Sequence, residues 1–232
     1  MNVEQARFCM VEQQIRPAGV LNPNILSFFK LLRREDFVPL AYRQLAFAQT
    51  EIPLMDGLLG SDQARMLTPT LEAQFLQAAQ PARHERVLEI GTGSGWMTAL
   101  LAHLTQEVIT VEINSHLAQQ AQENLRHAGL SRVQVITANA SQLGDVDSFP
   151  QVHTAPFHLI VLSGLVPQLP TSLLPLLHPD GRICAILGEP DLAHLCTGRP
   201  DIDHAEKWKV QHLGPAQASP LHSWISTPSF VF

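Results

Sequence analysis

Cysteine is scarce in this chain of 232 residues: Cys9, Cys184 and Cys196 make an odd count with no paired ligand spacing. That argues against a disulfide framework and a cysteine zinc site, and makes a reducing cytoplasm the expected home. Positive charge is also in short supply. Fifteen Lys and Arg against 21 Asp and Glu leave a formal charge of -6, so no basic field exists to hold a nucleic-acid backbone or an anionic membrane surface. The longest apolar stretches, such as Phe157–Val166 and Leu173–Leu177, are broken by His, Ser or Pro and fall short of the roughly 20 residues of a membrane span. The opening residues Met1–Arg7 lack the basic flank and apolar centre of a secretory signal. The 11 histidines are scattered, without His-x-x-x-His or His-Glu-x-x-His spacing, so surface roles rather than a metal centre are expected. What is present, 45% apolar and 16% charged residues, suits one sizeable globular domain with a modest appendage.

The first 80 residues read as mostly helical. Val3, Ala6, Met10, Val11 and Ile15 recur at near-helical spacing before Pro17 and Gly19 end the run. Asn22 before Pro23 reads as an N-cap, with Ile25, Phe28, Phe29 and Leu32 as the buried face. The pair Arg33-Arg34 reads as a solvated helix face. Thr50–Thr68 has turn chemistry and little periodicity, which suits a substrate loop or a connector. Pro69, with Leu71, Phe75, Leu76 and Ala79, starts another helix. From Arg86 onward short apolar runs alternate with helical ones: strands at Val87–Ile90, Glu107–Val111, Val133–Ile136, Leu159–Leu162 and Arg182–Leu187, and helices at roughly 96–104, 114–128 and 168–177. Such alternation predicts an α/β, Rossmann-like, doubly wound and mostly parallel sheet with an N-terminal helical extension. Residues 205–213 and 222–232 have β character suited to an antiparallel edge. The expected division is a helical cap or substrate region over 1–80 and a cofactor-binding domain over 81–232.

Chemistry concentrates in Val87-Leu88-Glu89-Ile90-Gly91-Thr92-Gly93-Ser94-Gly95-Trp96, a buried strand entering a glycine-rich turn and then a helix. The Gly-x-Gly-x-Gly spacing differs from the dinucleotide pattern, in which a helix N-terminus faces a pyrophosphate. Glu89 at the strand end would repel phosphates and attract an ammonium or sulfonium, which points to S-adenosylmethionine and away from a nicotinamide cofactor. Glu112 ends the next strand, where an acid accepts ribose hydroxyls. The bland alternative is a solvated strand end and an ordinary tight turn. Asn139, after the third strand, offers a carbonyl to the adenine amino group, or else Ala138 and Ala140 form the wall on which the ring lies. Ser163 ends the fourth strand at the sheet edge where ligands of such folds bind. The expected cofactor set is therefore Glu89, Gly91, Thr92, Gly93, Ser94, Gly95, Glu112 with the adjoining Ile113, Ala138, Asn139 and Ser163. Trp96 covers the methionine end or caps the core, and Met55, Met66 and Met97 read as gap fillers.

On these residues the chain resembles class I S-adenosylmethionine-dependent methyltransferases, and within them the protein-L-isoaspartate O-methyltransferase family. The resemblance runs from about residue 8 to 188. It covers Met10–Arg16 with Gly19-Val20, Arg34–Pro39 with Ala46-Phe47 and Ile52–Leu54, the loop Val87–Trp96, and Leu174–Gly188. It implies methylation of the side-path carboxylate of isoaspartyl residues, with a protein or peptide as partner. A carboxylate is ionised at neutral pH and needs no general base, so alignment would carry the reaction.

The chain departs from the family's pattern at three places. The family's Gly-Gln-Thr-Ile-Ser-x-Pro signature, whose Thr and Ser meet the substrate carboxylate, becomes Arg65, Met66, Leu67 and Thr68 before Pro69. Leu67 thus stands at the Ser position. Thr68 and Arg65 are the remaining candidates for orienting the acceptor, Arg65 by a bidentate contact, although capping or surface roles suit both. His158 replaces the family's Asp on the fourth strand, and Ala138-Asn139-Ala140 its Gly-Asp-Gly loop. Two rival readings stay open: a methyltransferase for a different acceptor, such as a small molecule, and a noncatalytic protein that keeps the cofactor pocket.

Overall fold

The computed structural model describes residues 2–55, 64–201, 203, 204 and 207–224. The chain opens with α1 (Val3–Met10), capped by Asn2, and runs on into a wide π turn over Val11–Ile15. The extra residue in that turn lets Met10, Val11 and Ile15 all be fully buried. In α2 (Pro23–Leu31) the Asn22 side chain accepts from the backbone of Asn24 and Ile25, and Ile25, Leu26 and Phe29 are buried. A short antiparallel pair, β1 (Ile52–Pro53) and β2 (Arg65–Met66), interrupts the helical region. Residues 56–63 of the irregular Thr50–Thr68 stretch lie outside the described residues. The Thr68 hydroxyl accepts from Leu71 N and starts α3 (Pro69–Ala79).

The main sheet is built from β3 (Arg86–Ile90), β4 (Glu107–Glu112), β5 (Gln134–Thr137), β6 (Phe157–Val166), β7 (Leu177–Leu187), β8 (His194–Pro200) and β9 (Trp208–Pro215). Helices α4 (Trp96–Leu104) and α5 (Ser115–His127) connect β3 to β4 and β4 to β5. The spatial order is β5-β4-β3-β6-β7-β8-β9, parallel from β5 to β7 and antiparallel beyond. Strand order reverses beside β3, which creates a crevice at its carboxyl end where open α/β sheets take their ligands. Every residue of β3 is buried, as a central parallel strand covered on both faces requires.

Successive side chains of a strand point to opposite faces, and the core divides accordingly. Val87, Val161 and Cys184 join a cluster that also holds Met10, Ile15, Phe29, Phe75 and Leu101. Leu88, Ile109, Ile160 and Ile183 join the other, with Leu143 and Leu173. The N-terminal helices therefore cover one face of the sheet, and removing a ring such as Phe29 would cost about 3–5 kcal/mol.

Four expectations change. The helix expected at 168–177 is a 3-10 turn over Thr171–Leu176, because Pro175 has no N–H to continue a helix, and β7 begins at once with Leu177. The antiparallel edge is a pair, β8 and β9, of which only the second was foreseen. His222–Trp224 form a 3-10 turn, not a strand, and 225–232 lie outside the described residues. Arg34, expected on a solvated face, is completely buried.

Candidate active site

Glu89 sits near the end of β3 with no exposed surface. Its Oε2 accepts from the hydroxyls of Thr98 and Thr110, the latter at 2.9 Å, and its Oε1 accepts from Ser163 Oγ at 2.9 Å. Burial pushes its carboxyl up to about 7; the three hydroxyls oppose that rise and the nearby Glu112 carboxylate adds to it. The expected direct link from Glu89 to an ammonium is not the geometry found. The carboxylate lies behind the crevice wall, and Ser163, which lines the crevice, stands in front of it. Thr92 is part of the same buried hydroxyl set, 2.7 Å from Thr110 Oγ1.

The turn after β3 brings its backbone to the crevice. Gly91, Gly93 and Gly95 have φ of 92°, 53° and 83°, the left-handed region that side chains disfavour. A methyl group on Gly95 would meet Ala121 O and Leu125 Cγ at 3.3 Å, so this glycine lets α5 pack against the loop. Ser94 Oγ accepts from Trp96 N, and Ser94 O accepts from Asn124 Nδ2, which fixes the start of α4. Glu112, at the end of β4, accepts from Gly93 N at 2.9 Å through Oε2 and from Asn114 N at 3.0 Å through Oε1. Each oxygen keeps a second lone pair, and the residue lines the crevice, so the carboxylate is set to accept two further donors.

Ile113, Ala138 and Ala140 form the apolar wall beyond Glu112. Asn139 does something other than read an adenine edge: its Oδ1 accepts from Ser141 N at 3.0 Å and Ser141 Oγ at 2.9 Å, which caps the turn at Ala140–Gln142 and uses both lone pairs. The C-terminal segment supplies the facing wall, which no local pattern in the sequence marks. Leu165 N donates to Ser219 O and Leu221 N to Leu165 O, both at 2.9 Å. This lays Leu221 on the loop: a methyl group on Gly91 would stand 2.7 Å from Leu221 Cδ2. Ser223 Oγ accepts from Ala140 N at 3.2 Å.

On the acceptor side the predicted pair separates. Arg65 lines the hollow next to Gly91, Gly93 and Ser163, together with Leu67 and Trp96. Glu51 shares a neighbouring groove with Arg65, its carboxyl raised by burial and held back by the Arg65 charge. Thr68 lies outside that hollow, and its hydroxyl caps α3 and accepts from Gln49 Nε2 at 3.2 Å. A role for Thr68 at the reacting atoms is therefore replaced by a structural one.

Behind Leu67 lies a cluster that sequence reasoning missed. Arg34 pairs in bidentate fashion with Glu72, Nε to Oε2 at 3.0 Å and Nη2 to Oε1 at 2.9 Å, and also donates to Ala46 O and Leu67 O. Trp96 Nε1 donates to Glu72 Oε2 at 2.8 Å, and its ring packs against Phe29 and Phe37. Burial raises the Glu72 carboxyl, with Arg34 opposing. One ion pair thus ties the acceptor-side strand to the residue that follows the glycine loop. Met66 and Met97 are buried and also line the acceptor-side hollow, while Met55 is half-buried and its sulfur accepts from Asn114 Nδ2 at 3.5 Å.

Against known families, the model described as Protein-L-isoaspartate(D-aspartate) O-methyltransferase matches residues 6–197. The chain belongs to that family. It is 32% identical over 201 residues to the protein-L-isoaspartate O-methyltransferase of Koribacter versatilis, covering 87% of this chain and 85% of that one. With the Herpetosiphon aurantiacus enzyme of the same name it shares 36% over 186 residues, 80% of this chain and 77% of the relative. In fold it is similar to a crystal structure of a protein-L-isoaspartate O-methyltransferase from Plasmodium falciparum in complex with S-adenosyl-L-homocysteine. That likeness has a TM-score of 0.73 at 16% identity and covers 95% of this chain and 98% of the other. No described helix is long and apolar enough to cross a membrane.

Proposed function

We propose that this member of the isoaspartate methyltransferase family transfers the methyl group of S-adenosylmethionine to the carboxylate of isoaspartyl residues in polypeptides. The observation that carries the reading is Glu112, held by Gly93 N of the glycine loop while its remaining lone pairs face the crevice at the sheet's carboxyl edge. The donor set suits the cofactor: a carboxylate for ribose hydroxyls, an apolar wall of Ile113, Ala138 and Ala140 for a base, and Ser163 in front of Glu89 for the amino-acid end. The two hollows enclose only about 80 and 40 Å3, less than a nucleoside fills, so Leu54 and Leu221, which narrow them, must yield on binding.

When bound, the cofactor supplies an electrophilic methyl on a cationic sulfur. The chain's own work is to orient and to exclude water. The acceptor carboxylate is already ionised, so no side chain has to remove a proton. Arg65 offers that carboxylate a counter-charge, and Leu54, Leu67, Trp96 and Met97 supply the apolar surround in which alignment counts. In this reading residues 1–80 provide the acceptor side and 81–232 the cofactor side.

Leu67 supports a second reading, a different carboxylate acceptor, because among the described residues of this segment no hydroxyl lines the hollow in place of the family's Ser. Both readings meet one experiment: calorimetric titration with S-adenosylhomocysteine, then methyl transfer to an isoaspartyl peptide and its aspartyl control. Binding with isoaspartyl-dependent turnover is expected. Binding without it would keep the cofactor site and reject the isoaspartyl acceptor.

A further inference from the structure

We propose that the surface running from Arg65 along α3 onto β8 and β9 is the track of the polypeptide that carries the acceptor carboxylate, and that it selects acidic residues about five or six positions from that carboxylate. The proposal rests on the polypeptide-methylating function above.

Continuity is the first argument. Arg65 lines both the hollow beside the glycine loop and a neighbouring groove of about 610 Å3, whose other walls include Thr68 and Gln74 of the α3 region. Gln74 and Pro215 in turn line both that groove and a larger one of about 980 Å3 that reaches Gln80 at the end of α3. Three depressions are thus joined end to end, with α3 as a common bank. At the helical rise Gln80 lies about 18 Å from Thr68. An extended chain advancing about 3.3 Å per residue covers that distance in five or six residues. The far groove therefore meets the flank of a substrate, not the methylated residue.

Charge is the second argument, and it is independent of the first. Among the described residues that line the far groove, Arg182, Arg199 and Lys209 are cationic and none is a carboxylate, in a chain whose net charge is -6. Glu85 compensates Arg182. Arg199 and Lys209 are exposed and stand directly opposite each other in the β8–β9 register. Neither belongs to an ion pair among the described residues. Like charges opposed across two strands destabilise the pair, and an acidic side chain seated on both relieves them. The near groove has the reverse character, with Glu51 and Asp191 in its lining, so the preference should be confined to the distant positions.

The test uses isoaspartyl peptides that differ only in carrying Glu, Gln or Lys at the fifth to seventh positions from the isoaspartate, placed on either side, and one short peptide without a flank. At low salt the KM for the Glu peptide of the preferred side should be about fivefold below that of the Lys peptide, and the gap should close as salt rises. The double change Arg199→Glu with Lys209→Glu should invert the order. It should leave S-adenosylhomocysteine affinity, the melting temperature and turnover of the short peptide unchanged. Equal KM for all flanks, or an equal loss on the short peptide, would overturn the track. Fluorescence anisotropy with a labelled Glu-flanked peptide separates the two hypotheses. Binding that depends on Arg199 and Lys209 without turnover of any isoaspartyl peptide would reject the function and retain the groove; no such binding would reject the groove.

Discussion

The two edges of the central sheet are built on opposite principles. At the amino edge, the cations of the parallel strands, Arg86 on β3 and Arg182 on β7, are saturated. Arg86 pairs with Glu107 at 2.8 Å, donates to Gln151 O, Thr154 Oγ1 and Ala155 O, and lies over the Phe157 ring. Arg182 grips Glu85 through both carboxylate oxygens and donates to Ala79 O and Gln80 O. His158, at the position where the family has Asp, stacks on His178 at this same edge. At the carboxyl edge, glycines hold left-handed backbone, Glu89 is buried with hydroxyls and no cation as partners among the described residues, and Glu112 keeps unused lone pairs. One edge spends its polar groups on holding strands together; the other leaves them strained or available. That asymmetry is what a ligand edge of an α/β sheet requires.

Substitutions that separate stability from binding would break or sharpen this contrast. The largest effect is expected from Arg182→Ala, which strands the buried Glu85: about 3 kcal/mol of stability lost in chemical denaturation, with S-adenosylhomocysteine affinity unchanged once folded. A comparable loss of affinity would show that the edges are coupled.

Glu89 makes the carboxyl edge a stability cost with a defined pH window. Its carboxyl is held protonated to about 7 in the folded chain against 4.5 for the ordinary group. Between those values folding takes up a proton, so stability is highest below the lower value, falls as pH rises through the window and levels above 7. The contribution is on the order of 3 kcal/mol. Urea melts from pH 4.5 to 8 should show this decline in the wild type and little of it in Glu89→Gln. Cofactor affinity should run the other way, rising with pH as Glu89 ionises, and an equally steep rise in the variant would remove Glu89 from the site.

Glu112→Ala should weaken S-adenosylhomocysteine binding by about 1–3 kcal/mol in calorimetry, with a smaller change in stability. The smallest effect belongs to Thr68→Ala, about 1 kcal/mol of stability from the lost cap of α3 with turnover unaltered once folded. A selective fall in kcat would restore Thr68 to the reaction.

Legibility in the sequence followed the range of each interaction. Asn22 announced a helix start because a cap bonds to groups two or three residues away, and Pro69 because its fixed φ and missing N–H suit the first helical position. The β3 run and its glycines were readable because buried parallel strands are continuously apolar and left-handed turns need glycine. Asn139 was misread because its partner, Ser141, is just as local and competes for the same oxygen. Arg34 was misread for the opposite reason: its partners Glu72 and Leu67 are 38 and 33 residues away, and a basic pair in isolation looks solvated. Leu221 carries no signal at all, since only the pairing of Leu165 with Ser219 and Leu221 brings it onto Gly91.

By itself, then, the sequence determined the α/β alternation, the glycine loop and the two acids at consecutive strand ends, all of them written in spacing and side-chain type. Only the tertiary structure decided which carboxylate faces the crevice. Glu89 and Glu112 end neighbouring strands with the same chemistry, yet Thr98, Thr110 and Ser163 from three other elements enclose the first, while the backbone of Gly93 and Asn114 holds the second at the surface of the pocket. Burial is a property of what packs around a residue, and those neighbours are assembled by the sheet.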